Sequence, residues 1–213
     1  MKFIRLNFMI AASIGFLMGP VSARYVQMNT NNDKHLAHAA ELIKAFETER
    51  EPEHLREASI ELENVDLRRV YDKKLRSKQR LQCLELWLTI IQTIDKNIDA
   101  AFDPNDVPTL NVMPPPLKNG TQLWPGADPA LIDDPKAREE YQKAIKANRE
   151  KQERVLIQSQ LRELNETIPD GAVKFINRYY PDAERSEPRD AIKKIIESES
   201  RRELLLRSIE PQK

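Results

Sequence analysis

Cysteine and glycine are scarce in this chain of 213 residues, which has one cysteine, Cys83, and five glycines. A single cysteine cannot form an intrachain disulfide, so the stability of the fold must come from packing. A β-sandwich or β-barrel of this length would need many more turn glycines. The lone thiol lies four residues before Trp87 in an apolar segment. That setting predicts a buried and inert side chain rather than a nucleophile.

Motifs that would carry catalysis are also missing. The chain has no G-x-S-x-G turn, and three glycines beyond residue 23 are too few for a phosphate-binding loop or a dinucleotide fingerprint. The 34 basic and 34 acidic residues balance, which disfavours bulk attraction to nucleic acid or anionic lipid. The sequence leaves enzymatic activity undecided but favours a non-catalytic protein. We identify no catalytic, cofactor-binding or metal-binding residues and expect no cofactor and no nucleic-acid partner.

The first 23 residues form the clearest motif. Lys2 and Arg5 precede an apolar run at 8–18, and small residues follow up to Ala23. This pattern is typical of a secretory signal peptide, cleaved between Ala23 and Arg24, and it predicts a periplasmic or secreted protein. Eleven apolar residues give only about 16 Å of helix against a hydrocarbon core of about 30 Å. A retained membrane anchor is therefore disfavoured, and we expect no membrane span after cleavage.

The remaining chain is rich in charged, long-chain residues, with apolar positions recurring every three or four residues. This spacing predicts an all-α fold, which we interpret as an irregular helical bundle. A disordered leader is expected at 24–32, followed by a single helical domain over 33–213. The predicted helical segments are 33–102, with its most apolar and central helix near 81–102, then 135–168, 170–180 and 188–209.

A proline-rich segment at 103–134 interrupts the helices. Its seven prolines and its Asn-Gly and Pro-Gly pairs predict a long loop. Leu123, Trp124 and other apolar residues make it too apolar for a flexible spacer, so we expect an ordered loop that lies against helices. A structural strap is the simplest role for this loop, and a functional loop is the alternative.

The predicted helix at 135–168 has apolar patches near both ends and none between them. Tyr141 and Ile145 lie near its start and Leu161 near its end, whereas residues 148–154 are all polar. This pattern predicts a long, partly projecting helix in a hairpin or coiled-coil-like arrangement. Separated apolar patches favour binding to another protein, or self-association.

Histidines offer the one hint of metal chemistry. His35, His38 and Glu41 would lie on one side of a helix, an arrangement that a metal ion could use, although no third strong ligand is recognisable nearby. Capping and surface roles are the alternative. Glu51 and His54 match half of a di-iron helix signature, but no histidine follows to complete the second half, so we reject a di-iron site.

Two Asn-x-Thr sequons, at Asn119 and Asn165, would be glycosylation sites in a eukaryotic host. Taken together, the sequence leads us to expect an exported helical protein with a non-catalytic, protein-binding or scaffold role in the periplasm or cell envelope. The alternative is an exported enzyme or metal-binding protein whose site is assembled from residues far apart in the sequence.

Overall fold

A computed structural model describes residues 20–100, 108 and 112–210. The structure does not describe residues 1–19, which are most of the predicted signal peptide, or residues 101–107, 109–111 and 211–213. The described residues form six α-helices and two short 3-10 turns, with no strand, so the all-α prediction is confirmed. The helices are α1 (Pro20–Glu49), α2 (Pro52–Glu63), α3 (Lys73–Ala100), α4 (Pro135–Tyr179), α5 (Ser186–Ile195) and α6 (Glu199–Ser208).

The chain divides into two compact units, where the sequence predicted one domain over 33–213. Unit 1 contains the described residues up to Thr93 and from Asn165 onward, and unit 2 contains residues 94–164. Helical periodicity could not reveal this division, because α3 and α4 each continue through a boundary without a change of pattern. Each unit has buried apolar side chains of its own.

Helices α1 and α2 of unit 1 pack against each other as a hairpin. Arg50, between them, has a φ of 61°, which reverses the chain, and Pro52 begins α2 at a position where its missing N–H costs nothing. Both helices bury one apolar stripe, as their three-four spacing predicted. The buried residues of these stripes include Leu36, Ala39, Ile43, Phe46, Leu55, Ala58 and Leu62.

Helix α1 begins at Pro20 and passes through residues 24–32, which the sequence predicted to be a disordered leader. No glycine or proline interrupts this stretch, and its last residue is fixed by tertiary contacts. The Asn32 side-chain amide donates to the Asp66 carbonyl oxygen at 3.1 Å and to Gln79 Oε1 at 3.4 Å. Asn32 is buried, so at this residue the leader prediction was wrong.

Helix α3 is the central helix, as predicted from its apolar sequence. Helix α2 ends at Glu63, and α3 starts directly after Asp72. The Oδ1 atom of Asp72 accepts hydrogen bonds from the Lys74 and Leu75 amides at 2.8 and 3.0 Å. These bonds satisfy donors that a helix start leaves free. Its buried apolar side chains are Cys83, Leu84, Trp87, Leu88, Ile90, Ile91 and Ile94.

Helix α4 runs for 45 residues through Pro169. The sequence predicted two helices here, 135–168 and 170–180, and that division was wrong. Proline removes one backbone hydrogen bond, but a helix continues when packing on both sides outweighs the loss. Pro169 is buried, and Gly171 packs against the ring of Trp87, so tertiary contacts hold the helix together across the proline.

The C-terminal region contains two helices, α5 and α6, where the sequence predicted one helix over 188–209. The extended Ile196 ends α5, and the Glu197 amide donates to Gln92 Oε1 at 2.8 Å. Ser198 then caps α6 by accepting from the Arg201 amide. Because this stretch is polar, a continued helix would have had no apolar stripe to bury.

The described part of the proline-rich segment, residues 112–134, is ordered within unit 2. Leu123, Ala127 and Ile132 form a buried cluster with Tyr141 of α4. Gly120 and Gly126 have φ values of 81° and 76°, which glycine adopts without strain and which turn the chain back toward the cluster. The prediction of an apolar loop packed against a helix is confirmed for these residues.

Candidate functional site

All three histidines of the chain lie on the α1–α2 hairpin, and each faces a glutamate. His35 Nδ1 lies 2.5 Å from Glu61 Oε2, and His38 Nδ1 lies 3.2 Å from Glu61 Oε1. The predicted histidine pair is thus brought together with Glu61 of α2. Glu41, the partner that the sequence suggested, has an exposed side chain and takes no part in this group. Sequence spacing could not find Glu61, because it lies 26 residues from His35.

Glu61 is the centre of this first group. The hydrogen bond to His35 lowers the pKa of the Glu61 carboxyl; partial burial opposes this shift, and His38 adds to it. One carboxylate therefore serves two imidazoles, each at a different oxygen. Such charge-assisted hydrogen bonds between partly exposed groups stabilise a helix pair modestly.

A substitution of Glu61 tests the pH dependence of this contact. The lowered pKa means that the ionised carboxylate stabilises the fold fully above its ordinary pKa of 4.5, and that this contribution is lost as the pH falls through the folded value. We expect Glu61→Gln to lower the free energy of unfolding by about 1 kcal/mol near neutral pH and by less in acid, below the ordinary pKa of 4.5. Urea denaturation at both pH values measures the difference.

The matched control is Glu57→Gln on the same helix, where the side chain is exposed. This variant should leave the free energy of unfolding within about 0.5 kcal/mol of wild type at both pH values. An effect of Glu61→Gln that is equally large in acid would show that the substitution acts by replacing an acceptor oxygen with an amide NH₂, and not by removing the charge.

A second group lies at the turn of the hairpin. His54 Nε2 is 2.6 Å from Glu49 Oε2 and 3.8 Å from Glu51 Oε2. Within the described ranges, these three side chains are the one group whose possible metal-ligand atoms all lie within 4.8 Å of one another. An imidazole and two carboxylates can ligate Zn²⁺. Both glutamates are exposed, however, and the same geometry serves as a pair of ordinary surface ion pairs.

Unit 1 also contains a cavity of about 260 Å³ that sequence reasoning did not predict. Three parts of the chain form it, namely the end of α2 with the residue after it, α3, and the last turns of α4. Its lining residues are Leu62, Glu63, Val65, Trp87, Gly171, Lys174, Phe175, Arg178 and Tyr179. Three of these nine residues, Glu63, Lys174 and Arg178, are charged, and the cavity is open to solvent on one side.

A largely buried arginine side chain connects α3 to the end of α4 and the residues that follow it. Arg80 donates to the Tyr179 carbonyl oxygen at 3.3 Å and pairs with Glu184 and, at 2.9 Å, with Glu187. Its Cζ lies 4.2 Å from the centroid of the Tyr180 ring, and only 15% of its side chain is exposed. Burial acts to lower the pKa of this guanidinium, but the bond to Glu184 and other nearby charges raise it overall. These contacts join α3 to the end of α4 and to the residues that follow it.

Unit 2 exposes large apolar side chains on the proline-rich segment. Trp124 is 63% exposed, and Met113 and Leu131 are about half exposed. The neighbouring Leu123 belongs to the buried cluster, and the Ala127 amide donates to the Trp124 carbonyl oxygen at 3.1 Å. Trp124 therefore stands on an ordered turn with its ring toward solvent, where it is available to a partner.

The structure bears on two predictions for single residues. Cys83 is buried, as predicted, and burial raises the pKa of its thiol, which disfavours the reactive thiolate. Of the two sequons, Asn119 lies on an exposed turn, whereas Asn165 lies in α4 and accepts a hydrogen bond from Arg201. Only Asn119 has the exposed loop setting that glycosylation favours.

The fold thus defines an all-α protein of two compact units, one with a cavity and paired histidines and the other with an exposed tryptophan. No described helix combines the length and the apolar character that a bilayer crossing needs. Comparisons with models of protein families, with curated proteins and with solved structures give no match. The proposal of function therefore rests on the residues and their contacts.

Proposed function

We propose that this protein is an exported, non-catalytic helical protein that binds another protein in the periplasm or cell envelope. The signal-like pattern of residues 1–23 supports export. The single observation that carries the binding role is Trp124, whose large apolar ring faces solvent on an ordered turn of unit 2.

Tryptophan is among the residues that contribute most to protein–protein affinity. An apolar ring that is already held in place loses little further conformational freedom on binding, which favours affinity. The turn that carries Trp124 is held by the burial of the neighbouring Leu123 and by the hydrogen bond from the Ala127 amide to the Trp124 carbonyl oxygen, which supplies that preorganisation. Met113 and Leu131, on the same proline-rich segment, also expose about half of their apolar side chains.

Replacing Trp124 with alanine tests this proposal. We expect capture of a specific partner from an envelope extract to fall at least tenfold, because truncating an anchor residue commonly costs about 2 kcal/mol of binding energy. The thermal stability of the variant should stay close to that of wild type, because the side chain is exposed. Quantitative mass spectrometry of captured proteins, compared with wild type, is the measurement.

Leu204→Ser is the control, because Leu204 is a half-exposed apolar residue of unit 1. It should leave capture unchanged. Equal capture by Trp124→Ala and wild type would contradict the proposal. If the captured protein is this same chain, and analytical ultracentrifugation shows a Trp124-dependent dimer, the partner is a second copy.

The alternative, an exported metal-binding protein, is favoured by the close approach of Glu49, Glu51 and His54. Elemental analysis of tag-free protein distinguishes the two functions. Stoichiometric zinc that is lost in His54→Ala would support the metal role, whereas metal-free protein with Trp124-dependent binding would support the interaction role.

A further inference from the structure

We propose that the turn of the α1–α2 hairpin is a reversible binding site for a divalent transition-metal ion, with Zn²⁺ as the representative of the class. The ligands are Glu49, Glu51 and His54. A site built partly from exposed carboxylates exchanges its ion with solvent, so it differs from a metal that stays bound through purification. The inference goes beyond protein binding and is independent of Trp124, which lies in the other unit.

The three ligand atoms already have nearly the separations that a tetrahedral ion requires. Zn²⁺ bonds nitrogen and oxygen at about 2.0–2.2 Å, which places neighbouring ligand atoms about 3.4 Å apart. His54 Nε2 lies 2.6 Å from Glu49 Oε2 and 3.8 Å from Glu51 Oε2, and all three ligand atoms lie within 4.8 Å of one another. Side-chain shifts of about 1 Å therefore complete the geometry.

The backbone of the turn holds the ligands in place. Arg50, with a φ of 61°, closes α1 by donating its amide to the Phe46 carbonyl oxygen at 2.9 Å. Glu51 precedes the first residue of α2, and its side chain caps no amide of that helix. The His54 amide donates to the Glu51 carbonyl oxygen at 3.1 Å. Because two packed helices frame the turn, little ordering is needed when an ion binds.

The charges at the turn favour a dication. A single imidazole N–H donates to one acceptor, and His54 Nε2 is within hydrogen-bond distance of Glu49 but too far from Glu51. The second carboxylate is thus held close to the first without a hydrogen bond from the imidazole. Two carboxylates at such a distance repel each other. A dication between them would neutralise both and leave the site without net charge.

The imidazole determines the class of metal. Zn²⁺ and its first-row neighbours accept nitrogen together with oxygen ligands, whereas Mg²⁺ and Ca²⁺ prefer six or more oxygens. The side chain of His54 is 20% exposed, so the nitrogen ligand is better protected from water than either carboxylate. With three protein ligands, a tetrahedral ion keeps one water molecule.

The chain has three histidines, so their ring signals show which of them binds the metal. Zn²⁺ is added to the full, tag-free, ¹⁵N-labelled chain after treatment with a chelator, and long-range ¹H–¹⁵N spectra follow the ring nitrogens. We expect saturation at one ion per chain, with a dissociation constant of about 100 µM or below. The His54 Nε2 signal should move, whereas the signals of His35 and His38 should not.

Substitutions of the ligands separate a metal site from an ion pair. Glu51→Gln should weaken Zn²⁺ binding at least about tenfold, although Glu51 makes no hydrogen bond to His54, and His54→Ala should do the same. Glu53→Gln changes an exposed acid between these two ligands and is the matched control, which should bind as wild type does. About a hundredfold excess of Mg²⁺ should not displace the ion.

The inference is overturned if the His54 signal shows no saturable movement up to about 1 mM Zn²⁺, tenfold above the largest expected dissociation constant. Equal movement of the His35 and His38 signals would also overturn it, as would equal affinities of wild type and Glu51→Gln. Trp124→Ala should bind Zn²⁺ as wild type does. Failure of this site and failure of the proposed protein-binding role can therefore be distinguished.

Discussion

Replacing Gly171 with alanine is expected to destabilise the protein by about 1–3 kcal/mol, the range typical of overpacked cores. A Cβ atom at this position would lie 2.6 Å from Cη2 and 2.9 Å from Cζ3 of Trp87. Trp87 is almost fully buried, so the ring cannot move without disturbing its neighbours. Urea denaturation of the purified variant measures the change in the free energy of unfolding.

The sign of the change in the free energy of unfolding distinguishes a clash with Trp87 from the ordinary effect of this substitution. Within a helix, glycine to alanine ordinarily stabilises by about 0.5–1 kcal/mol, because glycine loses more conformational freedom on folding. Asp170→Ala, at the exposed neighbouring position, is the control and should be nearly neutral. Combining Gly171→Ala with Trp87→Phe should cost less than the sum of the single changes, because phenylalanine lacks the clashing ring atoms. Stabilisation by Gly171→Ala alone would contradict the described packing.

Removing the charge of Arg80 is expected to cost about 2 kcal/mol, between the loss typical of an exposed ion pair and that of a buried one, because the Arg80 side chain is 15% exposed whereas its partners Glu184 and Glu187 are 49% and 33% exposed. Arg80→Met retains most of the apolar stem but removes the donors to the Tyr179 carbonyl and to Glu184 and Glu187. It also removes the cation from the face of the Tyr180 ring. The free energy of unfolding from urea titration is the measurement.

Arg149→Met provides the matched comparison. Arg149 pairs with Glu153 at 3.2 Å on α4, and both side chains are largely exposed. Exposed pairs of this kind contribute about 0.3–0.5 kcal/mol, so this variant should remain close to wild type. Equal losses for Arg80→Met and Arg149→Met would mean that burial adds nothing to the Arg80 contacts.

The features that could be predicted from the sequence are those that depend on local pattern. The three-four spacing in α1 and the apolar sequence of α3 predicted their buried faces, because one helix turn brings such residues to the same side. The packing of the described proline-rich segment followed from its apolar content. In each case, the residues that decide the outcome lie close together in sequence.

Two helix boundaries were wrong because distant contacts decided them. Proline and glycine at 169–171 are ordinary stop signals, yet the packing of Gly171 on Trp87 holds α4 intact. At Glu197, a helix that the sequence predicted to be continuous is interrupted. Gln92 Oε1 accepts a hydrogen bond from the Glu197 amide, which favours an extended backbone between α5 and α6. Local propensity is a weak guide where tertiary contacts of this kind compete with it.

The candidate sites were predictable in part only. His35 and His38 could be identified as a pair from their spacing, but Glu61 comes from another helix. The cavity and the Arg80 contacts likewise join segments about one hundred residues apart along the chain. Contacts between segments so far apart produce no periodic pattern in the sequence, so they can be identified only in the structure.

The division of the chain into two units has a consequence for the order of folding during synthesis. Unit 2 is continuous from 94 to 164, whereas unit 1 needs residues on both sides of it. A ribosome therefore completes all of unit 2 before it makes the C-terminal part of unit 1, which includes the last turns of α4 together with α5 and α6. Until then, the Trp87 side of α3 is left without Gly171, and the chain depends on the early hairpin to limit exposure of apolar surface.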